Sequence, residues 1–223
     1  MRFVLCSAVS CVCLLTVTLA HAAPNGEAGF TPLFNGRDTA GWVQLDKGKW
    51  TVEGGALVCD GGGSGWLRSE KTYDNFIVRL EWQIAPNGNS GVFIRAPEKG
   101  RSSRLGFESQ ILDDAGKPPD KNSTGSIYDI IPPAKAANKP AGEWNTEEIV
   151  CDGPHITVTL NDEKIQDFRT DDPEINAKQD RIHKPILRHK AGYIGLQNHG
   201  ACVRFRNLRI KPLMREGAVE AKK

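Results

Sequence analysis

From Asn89 to Asp114 the chain reads NSGVFIRAPEKGRSSRLGFESQILDD, its densest group of side chains able to bind and protonate a polar ligand. Two strands are expected here, about Ser90 to Arg95 and Gly106 to Leu112, joined by a basic, Gly/Ser-rich connection. Side chains alternate between the two faces of a strand. That places Phe107, Ser109 and Ile111 on one face of the second strand, and Glu108, Gln110 and Leu112 on the other. On the first strand, Gly91, Phe93 and Arg95 oppose Val92 and Ile94. Neighbouring strands would therefore gather Arg95, Glu108 and Gln110 on one surface, with Asp113 at its end. A guanidinium, a carboxylate and an amide side by side suit a polyhydroxylated ligand. The plainer alternative is a solvated sheet face carrying an ion pair.

The rest of the chain supplies strands and turns to hold that surface. Asn75 to Ala85 alternates most cleanly: Phe76, Val78, Leu80, Trp82 and Ile84 against Ile77, Arg79, Glu81 and Gln83, as in an antiparallel sheet with one buried face. Further strands are expected at Lys49–Val52, Ala56–Cys59, Gly65–Arg68, Ser126–Ile131, Glu147–Cys151, His155–Leu160, Lys164–Phe168, Gly192–Gln197 and Ala201–Ile210. Gly, Asn, Asp and Pro punctuate them. Thr31 to Trp42 reads as a turn-rich lead-in, and Thr170 to Lys190 as an irregular excursion. Gly61-Gly62-Gly63 lacks the Lys-Ser/Thr and the helix of a phosphate-binding loop and reads as a turn. Short strands with frequent turns and no long amphipathic helix define an all-β fold, and we expect a two-sheet antiparallel jelly-roll sandwich. The irregular stretches 115–125 and 132–142 follow the carboxylate strand directly and are placed to wall a cleft.

Composition bounds the partners. The 223 residues are 39% hydrophobic and 25% charged with a formal net charge of +2, which argues for a globular core and gives no case for nucleic acid. Arg2, the apolar run Phe3–Ala20 and the small residues of Ala20-His21-Ala22 form a secretory signal over residues 1–22. A single domain over 23–213 and a frayed tail over 214–223 follow. We expect export to a periplasm or beyond, with no stable membrane insertion after cleavage. The mature part keeps Cys59, Cys151 and Cys202, without metal or redox spacing; a disulfide among them is left open, and they read as small apolar strand residues. Asn122-Ser123-Thr124 is too common a pattern to argue glycosylation. His155, His183 and His189 lie in ordinary surface or strand-start contexts.

The segments PLFNGRDTAGW, NSGVFIR, FESQILDD, GSIYDIIPP, PAGEWNTEEIVCDG, ITVTLND and GYIGLQNHGACVRFRNLRIK, taken in order from about Thr31 to Pro212, resemble the 3-keto-disaccharide hydrolase domain family. The resemblance implies a concanavalin-like jelly roll, bacterial export and action on glycosides oxidised to a ketone at carbon 3 of the sugar. Phe107 and Ser109 stand where many members carry Tyr and an aliphatic residue, and neither lies on the polar face.

A ketone at carbon 3 acidifies the hydrogen on carbon 2. A base removes it, an enolate forms, and the group on carbon 1 leaves by elimination, with water free to add afterwards. Such a site needs a base, a positive or hydrogen-bonding group at the enolate oxygen, and an acid for the leaving group. Glu108 is the expected base or a metal ligand. Arg95 or a divalent cation is expected at the enolate. His199, on the same side as Gln197 in a strand-ending turn, is the expected second acid/base or a ligand, histidine being the side chain suited to both roles. Asn89, Gln110 and Gln197 are expected to bind hydroxyls, and Asp113 to orient Arg95 or ligate a metal. Trp144 is expected either to stack on a sugar ring or to pack in the core. A cation, if one is held, would sit among Glu108, Asp113 and His199.

Two other readings compete. E108-S-Q110-I-L-D113 is a degraded form of the E-x-D-x-x-E strand of retaining endoglucanases. Positions five apart on a regular strand face opposite ways, so the two carboxyls, which must lie about 5–5.5 Å apart, would pair only across a bulge. A lectin-like module on the same fold is the non-enzymatic alternative. Aglycone, linkage and oligomeric state are not legible in the sequence.

Overall fold

In a computed structural model, residues 27–99, 102, 106–178 and 191–214 are described. The expected signal (residues 1–22), His183, His189 and nearly all of the tail lie outside them. Thirteen strands follow the turn signals of the sequence: β1 (Thr31–Pro32), β2 (Trp42–Asp46), β3 (Trp50–Glu53), β4 (Ala56–Cys59), β5 (Ser64–Tyr73), β6 (Phe76–Ile84), β7 (Asn89–Ala96), β8 (Phe107–Leu112), β9 (Asn145–Asp152), β10 (His155–Leu160), β11 (Glu163–Arg169), β12 (Gly192–His199) and β13 (Val203–Pro212). A short helix, α1 (Pro173–Lys178), lies near the start of the stretch expected to be irregular.

The strands form two antiparallel sheets. The larger has the order β11-β10-β9-β6-β13-β4-β3, with β1 added to the far end of β13; the smaller has the order β2-β5-β12-β7-β8. This is the expected sandwich. Alternation decides which residues fill it. On β6 every second residue from Phe76 to Ile84 is buried and those between are half-buried. These inward residues meet Val92, Ile94, Phe107 and Ile111 of β7 and β8 and Leu67 and Leu196 of β5 and β12 in one apolar core. Each such large side chain contributes about 1.5–3 kcal/mol through burial. A second, smaller cluster of Trp66, Phe93 and Ala96, with Leu45 and Tyr193, lies on the opposite face of the small sheet.

Three local departures from the sequence reading matter. The lead-in expected over Thr31–Trp42 is followed by an edge strand that was not expected, β2, which pairs with β5 from Trp42↔Ser69 to Asp46↔Gly65. The expected strand Ser126–Ile131 is instead a compact turn joined by isolated bridges, Ser109↔Ile127 and Ile127↔Ile131. Its backbone covers the outer edge of β8: the Gln110 amide donates to Ser126 O at 3.1 Å, and the Tyr128 amide to Glu108 O at 3.0 Å. Finally, β7 bulges. Phe93 pairs with Gly195 and Ala96 with Tyr193, so Ile94 and Arg95 together face the single residue Ile194. Arg95 takes φ 50° there, the left-handed conformation that a bulge of this kind demands.

Candidate active site

The bulge removes Arg95 from the expected constellation. Its guanidinium turns to the backbone of two neighbouring turns, donating to Asp74 O at 2.8 and 3.1 Å and to Gly153 O at 2.7 Å. Arg95 is 3% exposed and clasps the β5–β6 turn to the β9–β10 turn. Perfect alternation would have placed it beside Phe93; the extra residue in β7 breaks that alternation.

What remains on the outer face of the small sheet is a grid set by strand register. Arg68, Gly195, Phe93 and Glu108 lie in one row across β5, β12, β7 and β8. In the next row Trp66 pairs with Gln197, and Gly91 with Gln110. In the third, Ser64 pairs with His199, and Asn89 with Leu112. Adjacent strands are about 4.8 Å apart, so neighbouring side chains within this grid are in reach of one ligand.

Glu108 is the centre of it. A β-carbon at Gly91 would stand 2.4 Å from Glu108 Oε1, so the carboxylate lies directly over the bare glycine. Gln197 Nε2 donates to the same oxygen at 2.8 Å. Gln110, two residues further along β8, flanks the carboxylate from the other side. Glu108 and Gln110 are each 3% exposed, whereas His199 at the end of β12 is exposed. The Oε1 atoms of Gln110 and Gln197 are buried and accept no hydrogen bond. Buried acceptors are almost always satisfied in native proteins, so these two amide oxygens have bonding capacity to spare.

His199 shares the outer face with Gln197 and follows it by two residues, roughly 7 Å along the strand. The strand runs two residues further than the sequence suggested, to His199, and Asn198 explains why. Its inward-pointing amide donates to Gly61 O and Gly63 O at 2.9 and 2.7 Å, tying the end of β12 to the Gly61–Gly63 turn. All three of those glycines have positive φ, which fits the plain turn expected there. Asn89 lies on the same face at the start of β7.

The other expected residues are engaged elsewhere. Asp113 Oδ2 accepts the Asn87 amide at 2.8 Å and closes the β6–β7 turn, so it neither orients Arg95 nor stands over Glu108. Trp144 precedes β9 in the larger sheet and is covered by the Arg206 guanidinium at 3.9 Å from its ring centroid, which withdraws it from both the core and this site. A cation site built on Glu108, Asp113 and His199 does not fit: among the described residues no three His, Cys, Asp or Glu side chains converge. Cys59, Cys151 and Cys202 are free thiols; burial pushes Cys59 up to about 11 and Cys151 up to about 12, so both are inert fillers.

The sequence reading passed over the floor of the grid. Trp66 and Phe93 meet edge-on at 5.5 Å between centroids and lean over Gly195, where a β-carbon would stand 2.3 Å from the indole. The Arg68 guanidinium lies 3.8 Å from the Tyr193 ring centroid. A glycine inside a strand pattern signals close approach of another group, and Gly91 and Gly195 carried that signal.

Comparison with known proteins agrees with this architecture. The model of the 3-keto-alpha-glucoside-1,2-lyase-like domain matches residues 29–211. A 3-keto-disaccharide hydrolase of Bacteroides thetaiotaomicron is 28% identical over 83% of this chain and 79% of its own length. A candidate glycosyl hydrolase of Parabacteroides distasonis superposes with a TM-score of 0.76 at 28% identity, over 83% of this chain and 94% of that one. A Bacillus subtilis protein with a galectin-like fold, 14% identical, superposes at 0.59 over 84% and 96% of the two chains and speaks to the fold alone. With the two-sheet fold, the recessed carboxylate and a family match spanning nearly all of the described residues, the chain is a carbohydrate-active, glycoside-cleaving enzyme and belongs to the 3-keto-alpha-glucoside-1,2-lyase-like domain family.

Proposed function

We propose that the protein is an exported enzyme that cleaves glycosides carrying a ketone at carbon 3, by removing the carbon-2 proton and eliminating the group on carbon 1. The observation that carries this reading is the Glu108 carboxylate, buried over Gly91, held by Gln197, and flanked by two unsatisfied amide oxygens. A buried carboxylate held by Gln197 is a base whose position needs no rearrangement. The Gln110 and Gln197 oxygens would accept from sugar hydroxyls, and Asn89 adds a further polar group at the rim.

The steps follow from the side chains present. Glu108 takes the proton from carbon 2, and the bonding pair moves to form the carbon 2–carbon 3 double bond of an enolate with charge on the carbon-3 oxygen. Arg95 is committed to Asp74 and Gly153, so the donor nearest Glu108 on its own strand is the Gln110 amide. The enolate then reforms the ketone as the carbon 1–oxygen bond breaks. His199, exposed at the rim, delivers the proton that the leaving oxygen takes. Addition of water to the unsaturated keto-sugar would complete hydrolysis. The amino-terminal signal in the sequence supports export.

Purified protein should release the aglycone from a 3-keto-glucoside and leave the parent glucoside intact. Glu108→Gln should lower that release about 10²–10⁴-fold with an unchanged melting curve. Equal rates on oxidised and parent glucosides would reject the elimination and favour direct hydrolysis.

A further inference from the structure

The inward face of β9 carries an acid where the pattern calls for an apolar residue. Asn145, Glu147, Ile149 and Cys151 point into the sandwich, and Glu147 is 4% exposed. Its carboxyl spans the two sheets. Oε2 accepts from Trp82 Nε1 of β6 at 2.9 Å, and Oε1 accepts from Ser109 Oγ of β8 at 2.5 Å. Ser109 stands between Glu108 and Gln110, so this bond ends directly behind the outer-face carboxylate. Elsewhere in the core the sheets meet mainly through apolar contacts, which slide more readily than a hydrogen bond of this length.

We propose that Glu147 is a positioning residue: through Ser109 it fixes the height and orientation of the β8 segment that presents Glu108 and Gln110. The inference rests on the reading of Glu108 as the base. Burial pushes the Glu147 carboxyl up to about 7 against the two donated hydrogen bonds, so this bridge changes its character within the working range of an enzyme. Among the described residues no charged side chain opposes it. β6 turns Leu80 and Trp82 toward it, β8 turns Phe107, Ser109 and Ile111, and β10 turns Val158 and Leu160. The other titratable group on its own inward row is the Cys151 thiol, which stays protonated. As Glu147 loses its proton, its bond to Ser109 becomes charge-assisted and shortens, drawing β8 toward the larger sheet.

The test uses the full chain with Glu147→Gln and Ser109→Ala, read in two ways. Side-chain amide resonances of Gln110 and Gln197, followed against pH without substrate, should shift with a midpoint near 7 in the parent protein and should lose that transition in both variants. On a 3-keto-glucoside, kcat should fall about tenfold in Ser109→Ala with KM within twofold, and the inflection near pH 7 should vanish from the Glu147→Gln profile. Melting curves at pH 5 establish that both variants fold. If the amide transition is absent from the parent, or survives in Glu147→Gln, the positioning role is overturned. If the transition behaves as expected and no keto-glycoside is turned over, the link between Glu147 and the outer face stands and the proposed reaction falls.

Discussion

A single methyl group at position 91 would test the carboxylate geometry most sharply. The backbone of Gly91 is ordinary strand, so alanine is conformationally allowed, yet its β-carbon would meet Glu108 Oε1 at 2.4 Å. The carboxylate must then swing away from Gln197. Gly91→Ala should keep the melting temperature within a few degrees and lower kcat/KM at least tenfold, since displacements of about 1 Å at a reacting group cost up to 10²-fold. Calorimetry and turnover measured on one preparation separate the two effects. The shared faces of Glu108 with Gln110 and of Gln197 with His199 were legible in the sequence because strand alternation holds locally along β8 and β12. The floor of Trp66, Phe93 and Arg68 was not, because it depends on which strands become neighbours. That is decided by burial of the whole core rather than by spacing in the chain.

At the level of the strand, the bulge in β7 separates what could be read from what could not. Alternation assigned Val92, Phe93 and Ile94 to their faces, then failed at Arg95, one residue past the point where Ile94 and Arg95 together oppose Ile194. Nothing in the sequence marks the bulge, since the residue with positive φ is neither glycine nor asparagine. The consequence is testable. Arg95→Met would leave Asp74 O and Gly153 O without a donor and should cost about 3 kcal/mol of stability. Turnover per folded molecule should stay within a few-fold of the parent. Urea unfolding beside a rate assay measures both, and a large loss of kcat at full stability would return Arg95 to the chemistry. Trp144 teaches the same lesson: a tryptophan beside a turn reads as a sugar platform or a core residue until Arg206 of another strand is found lying on it.

For the molecule as a whole, the buried acid sets the sign of the pH dependence. The folded state holds the Glu147 proton up to about pH 7, whereas the unfolded chain releases it near the ordinary glutamate value of 4.5. Between those values the native state binds more protons than the unfolded one, so stability falls as pH rises. The loss approaches ~3 kcal/mol at neutrality, or roughly 6–12 °C in melting temperature, and Glu147→Gln should flatten the curve between pH 5 and 8. The exposed carboxylates of Asp38, Asp120, Asp167 and Asp171 are held low by hydrogen bonds and act in the opposite direction at more acid pH. A thermal scan at four pH values resolves the two trends. The strap over β8 carries one more consequence. The strand bearing the carboxylate is last in its sheet, the position where chains commonly recruit a strand from a second molecule. By occupying those backbone groups from within, residues 126–131 guard the β8 edge against intermolecular cross-pairing, and their removal would open that edge to strands of other chains.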